Sequence, residues 1–360
     1  MAQSDPSDIV QPISQQSPTA PQPIVIQNYP SSSLGWRILA AMGWMGVFLC
    51  IPIILGQAIS SASYYDTTEG VSEKYVSGSK SADDKIAIIN VKGVIMEGEG
   101  YIRKQIDLVK EDKDVKAVVV RVDSPGGTVT GSDYILHHLK ELKKERDIPL
   151  VVSMGSMATS GGYYVAMAVE NEKDAIFAEP TTTTGSIGVI IPHYNISGLM
   201  KEYNVEDDSI MSHPRKQMLT MTREMPEEHR EILQEYVNQA FGRFKDIVKE
   251  GRPDFAANPE KLDVLATGEI FTANQALDNG LVDKIGFVEE AVARAAELAS
   301  IDPKTSRVVT YEQPTALFDL GLAQGKAMNW DKMLELSAPK AYYISSYLPP
   351  VMSSFPFGSR

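Results

Sequence analysis

AVVVRVDSPGG, residues 117–127, decides the fold: a β-branched run that ends directly on a proline and two glycines. Valines favour the pleated strand, where side chains branched at Cβ pack well. The glycines let the backbone turn sharply and approach a ligand with no Cβ in the way. Upstream, KIAIINVKGVI (85–95) is a second short β-branched run. Downstream, Gly131–Arg146 places Ile135, Leu136, Leu139 and Leu142 on one helical stripe. Leu150–Met154 reads as a further strand, and the glycines and small residues after it introduce a helix near Ser160. DAIFAE (174–179) and GSIGVII (185–191) continue the strand pattern. Strands alternating with helices predict an α/β fold, with mostly parallel strands and covering helices. A long helix follows over about Pro226–Glu250, then helices over Asn274–Asn279 and Val288–Ala299. From about Asp302 the pattern is lost, and the end, YLPPVMSSFPFGSR, is rich in proline and aromatics.

At 360 residues, 43% hydrophobic and 22% charged, the chain has the composition of a globular protein with a core. Its formal net charge of −13 argues against a nucleic-acid binder, because phosphates need a positive field. The basic residues of Lys140–Arg146 alternate with acids, as on a solvated helix face. The one cysteine, Cys50, excludes an intramolecular disulfide and a zinc–thiolate site within one chain. It lies in the most apolar stretch, where a thiol resists ionisation, which argues against a cysteine nucleophile.

Residues 1–35 are rich in Pro, Ser and Gln, a composition that cannot offset its ordering entropy and predicts a disordered tail. From Ile38 to Tyr65 there is no charged residue, a run of 28 and enough to cross ~30 Å of hydrocarbon as a helix. Trp36, Tyr64 and Tyr65 stand at its ends, where amphipathic aromatics favour the interface. We therefore expect a single-pass anchor at 36–62; the long tail before it argues against a cleaved signal peptide. A linker at 63–84, a catalytic domain at 85–300 and a C-terminal extension at 301–360 complete the expected organisation. Arg37 is the one base before the span, whereas Lys74, Lys80 and Lys85 follow it, so charge alone does not favour a cytoplasmic N-terminus.

Three segments carry candidate chemistry. In DSPGGTVTGSD (123–133), the glycine amides are placed to face a developing oxyanion, although a tight strand-to-helix turn explains the same residues. In SMGSMATSGGYYVAMA (153–168), Ser160 stands on the turn into a helix, which exposes a hydroxyl and gathers amides around it. An ordinary N-cap serine fits there too, and Ser153 and Ser156 are competing hydroxyls. In IMSHPRKQMLTMTREM (210–225), Lys216 sits among Met211, Met218, Leu219 and Met221. A lysine serves as general base only when its neutral form is accessible, about three units below ~10.4. Desolvation by apolar neighbours is the route to that, although an ordinary surface lysine also fits the segment.

Together these segments resemble the signal peptide peptidase A family. DSPGG, GSMATSGGYY and TGSIGVI (184–190) occur in that family's order and approximate spacing. The likeness extends through RKQMLTMTREMPEEHREILQEYVNQAF and ATGEIFTANQALDNGLVDKIGF, so it covers roughly Ile86 to Glu290 in a short, single-unit form. The resemblance implies Ser160 as nucleophile, Lys216 as general base, the amides of Gly127 and Gly161 as oxyanion donors, and Ser186 as the residue that orients the lysine. Thr128 departs from the pattern, standing where a third glycine is often found, and the stretch around Asn171–Asp174 is lengthened.

The family is similar to the Clp protease and crotonase fold of β-β-α repeats. The resemblance further implies a homo-oligomeric ring with sites shared between subunits, apolar peptide substrates such as signal-peptide remnants, and no cofactor or metal. It also implies a cytoplasmic or inner membrane location, with the peptidase domain extracytoplasmic. Three rival readings are a His-based mechanism through His213, a crotonase-like acyl-CoA enzyme, and a non-catalytic membrane scaffold with the same fold.

Overall fold

The computed structural model describes residues 34–65, 70–313 and 342–344; within them, the side chains of part of the first helix and of 342–344 lie outside the description. The tail at 1–33 and most of the extension beyond 313 lie outside the described residues. Two units divide the chain, Met1–Tyr65 and Asp66–Arg360.

In the first unit a single helix, α1, runs over Leu34–Tyr65. Its described apolar side chains, among them Leu39, Trp44, Phe48 and Ile54, are all exposed. Among the described residues no helix is long and apolar enough to cross a membrane; the expected span at 36–62 falls in part outside them.

Among its described residues the second unit has eleven strands: β1 (Ser72–Gly78), β2 (Lys85–Lys92), β3 (Val115–Ser124), β4 (Gly126–Thr128), β5 (Leu150–Thr159), β6 (Ile176–Ala178), β7 (Thr183–Gly185), β8 (Ile270–Thr272), β9 (Lys284–Ile285), β10 (Arg307–Glu312) and β11 (Tyr342–Ile344). Nine of these form one sheet in the order β1-β10-β2-β3-β5-β6-β9, with β7 also on β5 and β8 on β7. The central pairs β10–β2, β2–β3, β3–β5, β5–β6 and β5–β7 are parallel, as the strand–helix alternation predicts. Val118, Val119 and Val120 are all fully buried, so both faces of β3 are covered, which explains a valine run without polar alternation.

The covering helices are α2 (Tyr101–Glu111), α3 (Val129–Arg146), α4 (Gly161–Ala166), α5 (Ser197–Glu202), α6 (Glu227–Gly251), α7 (Pro253–Ala257), α8 (Pro259–Leu265), α9 (Ala273–Asp278) and α10 (Val288–Leu298). The stripe on α3 faces inward, with Ile135, Leu136, Leu139 and Leu142 all buried. α4 packs on β3 and β5, and α10 on β3, β5 and β6.

Two features differ from the sequence pattern. GSIGVII does not continue as a strand, because Gly185 and Ser186 both take positive φ, 83° and 52°, and end β7 at Gly185. The sheet also takes in β1 and β10, from the stretches read as linker and extension. β10 inserts between β1 and β2, with Val309 opposite Ala87.

Candidate active site

Ser160 stands where β5 meets α4. Its backbone is at φ 54° and ψ −115°, a region costing about 1–3 kcal/mol for a residue with a Cβ. Neighbouring bonds hold it there: its N–H donates to the Gly185 carbonyl (2.7 Å) and its carbonyl accepts from Tyr164 N–H (2.9 Å). Ser160 is 1% exposed, and its Oγ has no hydrogen-bond partner among the described residues. A strained, buried and unpaired hydroxyl is not an N-cap, whose oxygen would accept from the first helical turn. The competing serines are occupied: Ser153 Oγ accepts from Arg121 (2.8 Å), and the exposed Ser156 donates to Asp123 (2.5 Å).

The glycine turn closes on this serine. A Cβ on Gly161 would lie 2.4 Å from Ser132 Oγ and 3.1 Å from both Gly126 Cα and Gly127 N. The backbone of Gly127 therefore sits against the start of α4. On its other side, a Cβ at Gly127 would lie 1.8 Å from the Ile95 carbonyl oxygen. Ile95 N–H donates to the Gly126 carbonyl (2.9 Å), and Thr128 N–H donates to the Ile95 carbonyl (2.7 Å). Gly126 O and Thr128 N thus face Ile95, so by strand alternation the N–H and C=O of Gly127 face the opposite edge of β4.

Thr128, the departure from the family pattern, anchors the turn. Its Oγ1 donates to the Met96 carbonyl (2.8 Å) and accepts from Gly131 N–H (3.0 Å), which caps α3. Sequence reading missed this; Thr followed by a helical stripe was the available signal. Ser132 was missed as well: its Oγ donates to the Thr128 carbonyl (3.0 Å) and fills the space beside Gly161.

Ser186 is the residue after β7, which pairs with β5 so that Gly185 lies opposite Thr159. It is 6% exposed, at φ 52°, and its N–H donates to the Glu269 carbonyl (2.6 Å). Two left-handed serines, Ser160 and Ser186, are thereby held side by side at the ends of paired strands.

Lys216 lies on a short 3₁₀ turn, Pro214–Gln217, is exposed, and among the described residues its ammonium makes no hydrogen bond or ion pair with any group. Arg215 beside it pairs with Glu228 at the start of α6, and that guanidinium holds the Glu228 carboxyl below its ordinary value. Asp207 ties the same segment: hydrogen bonds from Ser209 and Thr222 push its pKa down to about 2. The structure thus gathers Ser160, Ser186, Gly127 and Gly161; Lys216 is on the exposed 3₁₀ turn. His213 is no nearer to a base role: it is exposed, and its Nδ1 accepts from Arg215 N–H (3.2 Å) within the 3₁₀ turn.

A cavity of about 470 Å³ opens beside β4 and the start of α3, lined by Met96, Thr128, Val129, Tyr134 and Tyr236 with Glu97 and Glu99. A larger one, about 1050 Å³, lies at the far end of α3 among lysines and glutamates and touches none of these residues.

The sequence profile of peptidase family S49 matches residues 142–302, which include Ser160, Ser186 and Lys216. A protein of Synechocystis sp. named as a candidate protease is 40% identical over 238 residues, 66% of this chain and 82% of its own. One of Enterococcus faecium named as a candidate signal peptide peptidase SppA is 34% identical over 279 residues, 74% of this chain and 78% of its own. The chloroplastic serine protease SPPA of Arabidopsis thaliana is 30% identical over 261 residues, 69% of this chain but 37% of its own. With a buried, strained serine inside the matched region and a glycine turn against it, the chain belongs to peptidase family S49 and is a serine peptidase.

Proposed function

We propose that this peptidase hydrolyses apolar peptides, signal-peptide remnants among them, through a Ser160–Lys216 dyad completed between two copies of the chain. The observation that carries the reading is the buried Ser160 hydroxyl, held at φ 54° with no partner of its own. Neutral Lys216 of a second copy takes the Ser160 proton as Oγ attacks the scissile carbonyl. The Gly127 and Gly161 amides receive the oxyanion, where preorganised donors contribute most. Lysine then protonates the leaving amine and activates water, which releases the acid product and regenerates the serine. Ser186, next to Ser160, orients the lysine when it arrives. No cofactor or metal enters this scheme.

Exposed apolar residues support a second copy as the source of the lysine. Tyr194, Leu199, Tyr203, Val205 and Ile210 cluster in sequence ahead of Lys216 and are each more than half exposed, a concentration that suits burial against another chain. α1 supports an anchor in the same way: apolar side chains exposed all round a long helix suit lipid. We place it as a single-pass anchor in the cytoplasmic or inner membrane, with the peptidase domain on the extracytoplasmic side and joined to its neighbours as a ring of Clp/crotonase-like β-β-α units.

Mixing inactive subunits tests the shared site. Ser160→Ala and Lys216→Ala chains, each inert alone, regain on random co-assembly about a quarter of the wild-type sites, because each site takes its serine and lysine from different copies. No recovery in a verified mixed assembly would sink the shared dyad, and full activity of Ser160→Ala alone would sink the nucleophile.

A further inference from the structure

Two adjacent histidines on α3 share one glutamate. Glu141 lies four residues after His137 and three after His138, and both spacings bring side chains together on a helix surface. Leu136, Leu139 and Leu142 face inward, which leaves His137 exposed and His138 and Glu141 half-buried. His138 is the fixed member of the group. Its ring meets Tyr134 edge to face with centroids 4.3 Å apart, and His137 in the same manner at 4.9 Å. Its Nδ1 stands 3.0 Å from Glu141 Oε2. One ring nitrogen of each histidine and one oxygen of Glu141 all lie within 4.8 Å of one another. Ligands about 2.0–2.1 Å from a tetrahedral ion are about 3.3 Å apart, so His138 and Glu141 are already near that spacing. The exposed His137 closes a remaining gap of at most about 1.5 Å by a change of rotamer.

Neighbouring ammonium groups would oppose a bound cation, but they are engaged with carboxylates of their own. Lys110 pairs with Glu145 (2.8 Å), Lys140 with Glu250 (2.6 Å) and Lys143 with Glu170 (3.2 Å). Lys110 reaches Glu141 only at 3.9 Å. His137 and Glu141 also line the larger cavity, about 1050 Å³, so an ion on these residues sits at its rim with room for water in a fourth position. We propose that His137, His138 and Glu141 form a site for a divalent transition ion of the zinc type, separate from the Ser160 chemistry. Two imidazoles and one carboxylate suit zinc, whereas magnesium and calcium take oxygen ligands. The ion joins successive turns of α3, the helix capped by Thr128 beside the glycine turn, and stabilises the folded chain whenever it is bound.

The test is calorimetric titration of zinc chloride into the full chain, stripped with a chelator and carrying no polyhistidine tag. One Zn²⁺ is expected per chain. His137→Ala, His138→Ala and Glu141→Gln should each weaken binding by at least about tenfold, since loss of even an outer partner of a metal ligand costs about 10–100-fold. Lys144→Ala, which changes the same cavity wall and removes no ligand, should bind as wild type does. Co²⁺ gives a readout that needs no variant: the wild-type chain should develop visible absorption bands that Zn²⁺ displaces. A wild-type chain that binds neither ion would overturn the site, as would unchanged zinc affinity in a chain carrying both His137→Ala and His138→Ala. None of these measurements depends on turnover, so failure of the metal site leaves the peptidase reading standing, and failure of that reading leaves the metal site.

Discussion

Gly127→Ala probes the glycine with least room for a Cβ among the described residues. The added Cβ would lie 1.8 Å from the Ile95 carbonyl oxygen, whereas real Cβ atoms essentially never come within 3.0 Å of another atom. The turn must therefore open by roughly 1.2 Å, and the obstacle is backbone, which has no rotamer to escape into. Thr128 N–H to Ile95 O at 2.7 Å and Ile95 N–H to Gly126 O at 2.9 Å cannot both survive that movement. Two net backbone hydrogen bonds amount to about 2 kcal/mol of stability. The same displacement moves the Gly127 amide off the position proposed for the oxyanion, and loss of one such donor costs about 10²–10³ in kcat. The assay is single-turnover cleavage of an apolar peptide by assembled enzyme, with the denaturation midpoint measured alongside. An alanine variant that keeps kcat within about threefold of wild type would refute both the close approach and the oxyanion role.

Three further outcomes follow from the geometry. Ser160→Gly and Ser160→Ala both lose activity, but glycine alone relieves φ 54°, so in urea it should be the more stable of the two by about 1 kcal/mol; equal midpoints would show that the elbow is unstrained. Arg121 joins Ser153 and Glu179 across β3, β5 and the end of β6, with about a fifth of each partner of the ion pair exposed. Glu179→Ala should therefore cost about 2 kcal/mol, below the figure for a fully buried pair, as read by chemical denaturation. Asp207 has its pKa depressed to about 2 by hydrogen bonds from Ser209 and Thr222. A depressed carboxylate contributes order above its unfolded value near ~3.9 and loses it as pH falls through the folded value. Proteolysis of the Lys216 segment should accordingly stay flat down to about pH 4 and rise between about pH 4 and 2, and Asp207→Asn should show the rise at every pH.

What the sequence made legible was local. The valine run 117–124, the stripe on α3 and the small-residue entry to α4 each record their environment within a few residues, and the structure reproduces them. GSIGVII misled because its apolar residues have strand chemistry, while Gly185 and Ser186 take a backbone that periodicity does not register. β10 was lost in an unpatterned tail because its partner is far away in the chain: Thr310 pairs with Ile88, and no local feature names the mate of an edge-like run. The site divides along the same line. Ser160, Gly127 and Gly161 stand on turns whose glycines mark them, whereas a lysine on an exposed 3₁₀ turn carries no local sign of the serine it would serve.

That division has a physical consequence. A buried hydroxyl without a partner costs about 1–3 kcal/mol, and the elbow that holds it adds a similar amount. Both persist because the surrounding backbone over-determines them: Ser160 N–H is fixed by Gly185, Ser186 N–H by Glu269, and β7 ties β5 to β8. A fold that carries this cost within one chain gains nothing from it until a partner group arrives. If that group is Lys216 of another copy, completing the site returns part of the cost, so assembly and activation are one equilibrium. Specific activity should then fall on dilution with the same midpoint as the loss of assembly. Ser160→Gly, which has neither the strained side chain nor the unpaired hydroxyl, should assemble no more tightly than wild type. An enzyme whose specific activity stays constant while it dissociates to single chains would show instead that Ser160 finds its base at home.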